Sequence, residues 1–186
     1  MNGLFVAAAE VCGFMQARDW EFCIIGGLAV QRWGEPRTTL DVDITLLTGW
    51  GEEEVFVDPL FEQFEARVPD ARDIANQYRV LLIRASNGSP VDISLGAVPF
   101  EEEVVRRATV EELAAGLTVP CCTPEDLVIM KAFAGRDQDW FDIKSVIRRQ
   151  SSLDAGRIVG RLEQLVDPDV QPDTVSRVRR LLENPV

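Results

Sequence analysis

The segment GGLAVQRWGEPRTTLDVDI occupies residues 26–44 and joins two predicted strands. The run that precedes it, residues 22–25, is short and wholly apolar, as in a buried strand. A glycine pair closes this strand, and a short helix and a proline-containing turn follow. The next strand begins with Asp41 and Asp43, whose side chains leave the same face because side chains alternate along a strand. The segment predicts a strand–helix–strand unit with two paired carboxylates.

A third carboxylate, Asp92, stands between Val91 and Ile93 in another short apolar strand. A lone carboxylate in such a strand is costly to bury. Beside Asp41 and Asp43 on a neighbouring strand, it would complete a group that binds one or two Mg²⁺ or Mn²⁺ ions and positions a nucleoside triphosphate for in-line attack at phosphorus. The alternative is that the aspartates at the strand start are simply solvated, which is favoured for an isolated D-x-D pattern.

The glycine pair Gly26-Gly27 directly precedes a helix, so its backbone N–H groups and the helix dipole can face an anion. Missing side chains would also let a phosphate approach the backbone closely. A tight strand-to-helix turn is the alternative explanation of these glycines. Arg37 and Thr39 serve the same anion or cap the turn.

Composition excludes several classes of chemistry. The chain of 186 residues contains no histidine, which removes Ser-His-Asp catalysis, Cys-His catalysis and every histidine-containing metal site. Metal binding must then rest on carboxylates, whose oxygens suit Mg²⁺ or Mn²⁺. The net charge of −12 argues against nonspecific binding of nucleic acid by the whole surface. Residues 137–186 are nearly neutral, with 8 basic and 9 acidic residues, so a polyanion would meet this part more easily.

The cysteines and the hydropathy pattern predict a cytoplasmic protein with no membrane partner. The four cysteines lack C-x-x-C spacing and are expected to be reduced thiols in the core. No apolar run approaches the length that spans a membrane.

The order of predicted elements, α-β-α-β-α-β-β-α-β followed by helices, indicates an α+β fold with a mixed sheet flanked by helices. Within this order, residues 52–68 predict an amphipathic helix that Pro59 breaks or kinks, and residues 78–84 and 91–95 predict a hairpin. Thr123 is expected to cap a helix that starts at Pro124. We expect a core over residues 1–120 and a helical C-terminal extension, residues 121–186, packed on it.

Taken together, the glycine pair, the D-x-D and the later Asp92 resemble the DNA polymerase beta-like nucleotidyltransferase superfamily. The fuller run is similar to a subgroup, the AbiE-type abortive-infection toxins and related minimal nucleotidyltransferases. That subgroup typically shows G-G-x-A and R-x-T-x-D-[IV]-D, which correspond here to residues 26–29 and 37–43. It often continues with a lysine in a helix and R-x-K-D-x-x-D, which correspond to Lys131 and residues 136–142, with Gln138 in place of the usual lysine. The resemblance covers roughly residues 20–145.

The resemblance implies the polymerase beta-like fold and transfer of a nucleoside monophosphate from an NTP, with release of pyrophosphate. It implies Mg²⁺ (or Mn²⁺) binding and catalysis by Asp41, Asp43 and Asp92. The nucleotide would be bound by Gly26, Gly27, Arg37, Thr39 and Lys131. Spacing alone leaves Lys131 open between a rim position beside an apolar stripe and a phosphate contact, and the resemblance favours the phosphate.

Asp139 and Asp142 lie three residues apart on one predicted helix face. They hold Arg136 or Lys131 in place, act at the active site, or form a solvated face. We favour a supporting role for Arg136, Asp139 and Asp142.

The acceptor is left open by the sequence. Relatives of the toxin type suggest RNA, notably the end of tRNA, or a protein, and they imply an antitoxin partner. A small-molecule acceptor of the aminoglycoside type also agrees with the acidic composition. A catalytically silent nucleotide- or partner-binding module is the third alternative, and the intact Asp41, Asp43 and Asp92 argue against it.

Overall fold

A computed structural model describes residues 3–184 of the chain. The chain divides into two compact units. The first consists of Met1–Leu28 and Thr38–Cys122, and the second of Ala29–Arg37 and Thr123–Val186. The predicted boundary at residue 120, and the packing of a C-terminal extension on a core, stay predictions.

The first unit contains a sheet of seven strands in the order β3-β4-β5-β2-β1-β7-β6. These strands are β1 (Phe22–Ile24), β2 (Val42–Leu47), β3 (Glu65–Ala66), β4 (Val80–Arg84), β5 (Pro90–Gly96), β6 (Thr109–Ala114) and β7 (Leu117–Cys121). Helices α1 (Gly3–Gln16), α3 (Glu54–Gln63), α4 (Ala71–Tyr78) and α5 (Pro99–Arg107) belong to the same unit. Helix α2 (Gly26–Trp33) begins in the first unit, and its residues from Ala29 onward are assigned to the second.

The sheet is mixed, which confirms the predicted α+β class. Strand β2 pairs with β5 in parallel and with β1 antiparallel, and β1 also pairs with β7 in parallel. Strands β4 and β5 form the predicted antiparallel hairpin, with Gly88 at φ +80° in its turn. The central strands therefore lie between partners on both sides.

The two faces of the central strands differ in burial. On one face, alternate residues of β2 and β5 are fully or almost fully buried, and α1 and α5 pack against β2. The residues of this core face are Val42, Ile44, Leu46, Val91, Ile93 and Leu95. On the other face, Asp43 and Asp92 are only partly buried. The alternation in the sequence thus places both aspartates away from the hydrophobic core.

The region after β2 differs from the sequence-based expectation. The helix predicted over residues 52–68 ends at Gln63 and continues through Pro59 without a break. Phe64 then takes an extended backbone conformation, and the next two residues pair with β4. Helix α4 and strand β6 were not predicted. This part of the chain leaves the helix early because the sheet edge offers its backbone a partner.

The second unit is helical and contains α6 (Pro124–Ala134), α7 (Asp137–Arg149), α8 (Ala155–Leu165) and α9 (Thr174–Glu183). As predicted, Thr123 caps α6, and its hydroxyl accepts a hydrogen bond from the Asp126 N–H at 3.2 Å. The helix ends at Gly135, which has φ +66°. In the first unit, all four cysteines are buried and none forms a disulfide, as expected for reduced core thiols.

Candidate active site

Strand pairing brings the predicted carboxylates of the first unit together. Asp43 and Asp92 are directly opposite each other in the parallel pairing of β2 with β5. Neighbouring strands lie about 4.8 Å apart, so two side chains on the same face at this register are close neighbours. Asp41 precedes β2 by one residue, and its charge acts on Asp92. The structure thus places Asp41, Asp43 and Asp92 in one acidic row.

The glycine pair lies against this row. Gly26 has φ +59°, and a Cβ at this position would overlap the Asp43 carboxylate and lie 2.6 Å from the Asp43 Cβ. The N–H of Gly27 donates a hydrogen bond to Asp43 Oδ2 at 3.2 Å. A Cβ at Gly27 would lie 2.6 Å from the Cβ of Thr39. The absent side chains therefore make room for Asp43 and Thr39, whereas contact of these glycines with a phosphate stays a prediction.

Thr39 connects the glycine turn to the first aspartate. Its hydroxyl, which lies against Gly27, donates a hydrogen bond to Asp41 Oδ1 at 3.3 Å. Thr39 therefore helps to orient Asp41, and its predicted role in nucleotide binding stays a prediction.

Arg67 is a site residue that the sequence analysis missed. Its Nη1 lies 2.5 Å from Asp92 Oδ1, and its Nη2 lies 3.2 Å from Asp92 Oδ2, so the guanidinium binds the carboxylate in a bidentate manner. The backbone N–H of Arg67 donates a hydrogen bond to the carbonyl of Leu82 on β4. Leu82 is the residue of β4 that pairs with Asp92 on β5. The apolar flanks of Asp92 predict that it needs a cation, but the spacing does not show which of 17 arginines supplies it.

The pKa of Asp92 is raised above its usual range. Burial is the largest cause, because it disfavours the charged form. The hydrogen bonds and charge of Arg67 lower the pKa but do not compensate fully, and the negative charge of Asp41 raises it further. An additional cation would therefore stabilise this row.

The row matches Mg²⁺ or Mn²⁺ in the chemistry of its donors. Carboxylate oxygens are the ligands these ions prefer, and three carboxylates provide the negative charge that a divalent ion compensates. Among residues 3–184, however, no three histidine, cysteine, aspartate or glutamate side chains are already arranged as a metal-binding group. In this structure Asp92 is paired with Arg67.

The second unit contains a separate charged cluster around Lys131. The Lys131 ammonium lies 2.8 Å from Asp139 Oδ1 and 2.9 Å from Asp142 Oδ2, and all three side chains are buried. A buried lysine between two carboxylates has its charge compensated within the protein. Contact of Lys131 with a phosphate stays a prediction.

Asp142 also holds Arg37, whose Nε and Nη2 lie 2.6 and 2.8 Å from its two oxygens. Gln138, which replaces the lysine usual in the subgroup, donates to Asp142 Oδ1 at 3.2 Å. Arg136 Nε binds Asp139 Oδ2 at 2.7 Å. The predicted supporting residues therefore form one network with Arg37 and Lys131.

The carboxylates of this cluster are strongly compensated. Burial raises the pKa of both Asp139 and Asp142, but hydrogen bonds and charges outweigh it, so each pKa lies below its usual range. For Asp139 these come from Arg136 and Lys131. For Asp142 they come mainly from Arg37 and Lys131. Both groups stay ionised at neutral pH.

Two solved structures share parts of this architecture with the chain. An antigenic nucleotidyltransferase-like protein from Paracoccidioides brasiliensis aligns with a TM-score of 0.54 and 16% identity, over 93% of this chain and 92% of that one. The antibiotic-resistance factor ANT(2'')-Ia aligns with a TM-score of 0.49 and 16% identity, over 96% of this chain and 90% of that one. At these identities the first likeness shows the fold alone, and the second carries no argument.

A comparison with sequence models of protein families identifies the family of the chain. The model of the nucleotidyl transferase AbiEii toxin of type IV toxin–antitoxin systems matches residues 19–183. The chain belongs to this family and is a nucleotidyltransferase, as its motifs predict. Its general activity is transfer of a nucleoside monophosphate from a nucleoside triphosphate. Among curated proteins, no match to the chain was found. In the described part of the chain, no helix combines the length and apolar character needed to cross a membrane.

Substituting Gly26 by alanine tests the close approach at the glycine turn. We expect Gly26→Ala to lower the free energy of unfolding by at least about 1–2 kcal/mol, because the left-handed backbone disfavours a Cβ, and the overlap with Asp43 adds to the loss. Urea unfolding followed by circular dichroism measures the change. Gly13→Ala is the matched control, because nothing lies near its Cβ, and this helical position should gain about 0.5–1 kcal/mol. Equal effects of the two substitutions would contradict the packing described for Gly26.

The pH dependence of stability tests the Lys131 cluster. A pKa that is lower in the folded state contributes stability above the ordinary value of 3.8, and this contribution is lost as the pH falls below it. We expect Asp142→Asn to cost about 3–5 kcal/mol at pH 7, because Lys131 and Arg37 lose a buried partner. The difference from the wild type should shrink as the pH falls from 4 towards 2. The exposed Asp169→Asn is the control, and a pH-independent difference for Asp142→Asn would refute the assignment.

Proposed function

We propose that this nucleotidyltransferase moves a nucleoside monophosphate from an NTP to an RNA acceptor, in a reaction that depends on Mg²⁺ (or Mn²⁺). The observation that carries the proposal is the in-register pairing of Asp43 with Asp92 across β2 and β5, with Asp41 at the start of the same row. Asp41, Asp43 and Asp92 are the residues that would hold the metal. When bound there, a divalent ion neutralises charge on the triphosphate.

The residues of the row have distinct tasks in this proposal. The N–H of Gly27 holds Asp43, and the Thr39 hydroxyl holds Asp41, so two carboxylates are fixed before any substrate arrives. Burial raises the pKa of Asp92, and a carboxylate with a raised pKa is a better proton acceptor. Asp92 therefore accepts the proton of the acceptor hydroxyl.

The covalent step is a displacement at the α-phosphorus. The acceptor oxygen forms a bond to this phosphorus, the bond from it to the bridging oxygen of pyrophosphate breaks, and pyrophosphate leaves. The hydroxyl proton passes to Asp92. In this structure Arg67 compensates part of the charge of Asp92, and a cation held by the row would compensate the rest.

A small cationic acceptor is the second candidate, and the charge of the first unit favours it. This unit has 7 basic and 19 acidic residues and therefore carries the whole net charge of −12. An acidic surface attracts a cationic drug of the aminoglycoside type and repels RNA. A silent binding module is the least favoured candidate, because Asp41, Asp43 and Asp92 are all present in one row.

We also propose an antitoxin as the functional counterpart of this chain, because its family belongs to type IV toxin–antitoxin systems.

Incubation with α-³²P-labelled NTPs and Mg²⁺ tests the proposal, with either bulk tRNA or a panel of small cationic acceptors. We expect label on RNA, loss of labelling when EDTA removes the metal, and loss in Asp41→Asn with an unchanged melting temperature. Asp70→Asn is the matched control, because Asp70 is exposed and makes no side-chain cap hydrogen bond at the start of α4.

The outcomes of this experiment separate the candidates. Label on a small molecule and not on RNA would favour the second acceptor. Activity retained in Asp41→Asn would refute the metal assignment. If no acceptor is labelled and no NTP shifts the melting temperature, the transfer itself is disproved.

A further inference from the structure

A hollow of about 310 Å³ lies on the second unit and combines aromatic rings with cations. It is lined by Asp137, Trp140, Phe141, Lys144 and Arg177, which come from α7 and α9. None of these residues belongs to the acidic row or to the Lys131 cluster. The hollow is therefore a separate feature of the second unit.

Arg177 is held against an aromatic ring at the edge of this hollow. Its guanidinium carbon lies 3.9 Å from the centroid of the Trp140 ring, a close cation–π contact. Trp140 is buried beneath it, and its indole N–H donates to the carbonyl of Gly135 at 3.2 Å. Arg177 and Trp140 also line a second hollow of about 270 Å³. The cation is thus pre-positioned between two concave surfaces.

Phe141 supplies an exposed ring beside these cations. It is 66% exposed, although it follows the buried Trp140 directly in α7. Lys144 lies three residues further along the same helix and is also exposed, so its ammonium is on the same side as the Phe141 ring. An exposed aromatic ring flanked by Lys144 and Arg177 has the composition of a surface that stacks a base and binds its phosphates.

The charge distribution favours a polyanion on this unit rather than on the first. The second unit has 12 basic and 12 acidic residues and is neutral, whereas the first carries the net charge of −12. Both lysines of the chain, Lys131 and Lys144, belong to the second unit. Since Lys131 is buried between carboxylates, Lys144 is the lysine that a phosphate can reach.

We propose that the hollow formed by Asp137, Trp140, Phe141, Lys144 and Arg177 binds a single-stranded segment of the RNA acceptor. One base stacks on Phe141, and Lys144 and Arg177 contact the adjacent phosphates. Asp137 adds one negative charge at the rim and limits the affinity for phosphate alone. This inference rests on the proposed RNA acceptor, and it assigns that acceptor a surface outside the acidic row.

Fluorescence anisotropy with the full chain and a labelled single-stranded RNA of roughly 12 nucleotides tests the proposal without NTP or metal. The Phe141→Ala variant should bind this RNA about 5- to 150-fold more weakly than the wild type, because one base–aromatic stack is lost. Phe133→Ala is its matched control, because Phe133 is 51% exposed on α6 and does not line the hollow. Each variant should melt at the temperature of the wild type, because both side chains are exposed and their removal leaves the fold intact.

Lys144→Gln should lower the slope of log Kd against log salt concentration by about one, because one phosphate contact is lost. Arg180→Ala is the control for charge, because Arg180 is exposed on α9, as Arg177 is, but lies outside the hollow. Binding of double-stranded RNA should change little in Phe141→Ala, because the bases of a duplex are not available for stacking.

Several outcomes would overturn the proposal. Phe141→Ala and Lys144→Gln could bind single-stranded RNA as the wild type does. The same substitutions could leave RNA binding unchanged but abolish binding of a cognate antitoxin, which would assign the surface to a protein. If RNA is labelled by NTP and these variants label it at the wild-type rate, the hollow is not the acceptor surface although the proposed function stands. If no RNA is labelled, the proposed function itself fails.

Discussion

The parallel pairing of β2 with β5 is the constraint on which the first unit depends. It sets Asp43 opposite Asp92 and keeps both on the face away from the hydrophobic core. A slip of one residue would move a carboxylate into that core and an apolar side chain out of it, so the apolar residues on either side of each aspartate fix the register. The glycine turn depends on the same register, because Asp43 fills the space that a side chain at Gly26 would need.

The pKa values of buried carboxylates shift in opposite directions in the two units. In the first unit, burial outweighs the ion pair with Arg67, and the pKa of Asp92 is raised. In the second unit, ion pairs outweigh burial, and the pKa values of Asp139 and Asp142 are lowered. The acidic row therefore has unmet demand for positive charge, whereas the Lys131 cluster is internally compensated. This contrast separates the row for which we propose a bound cation from a network that positions Arg37, Arg136 and Lys131.

The sequence predicts the central strands, the β4–β5 hairpin and the cap at Thr123, because each depends on local periodicity or turn chemistry. The acidic row joins strands that are distant in the chain, and it was predicted from the cost of burying Asp92 alone and from the family resemblance. The sequence does not predict β3, which has two residues, or β6, in which no residue is buried and burial does not alternate clearly. Helix α4 was missed because it buries only two alanines, Ala71 and Ala75. Arg67 was missed because its ion pair with Asp92 joins residues 25 positions apart, and such a contact leaves no periodic signal.

The central claim is that Asp41, Asp43 and Asp92 attract a divalent cation, and the most direct measurement is a titration of ¹⁵N-labelled protein with Mn²⁺. Paramagnetic broadening should appear first at the amides around Asp43 on β2 and Asp92 on β5, which face each other. It should need a higher Mn²⁺ concentration in Asp43→Asn than in the wild type. Broadening that begins instead at the acidic first turn of α5, around Glu101 and Glu102, and is unchanged in Asp43→Asn would contradict the account.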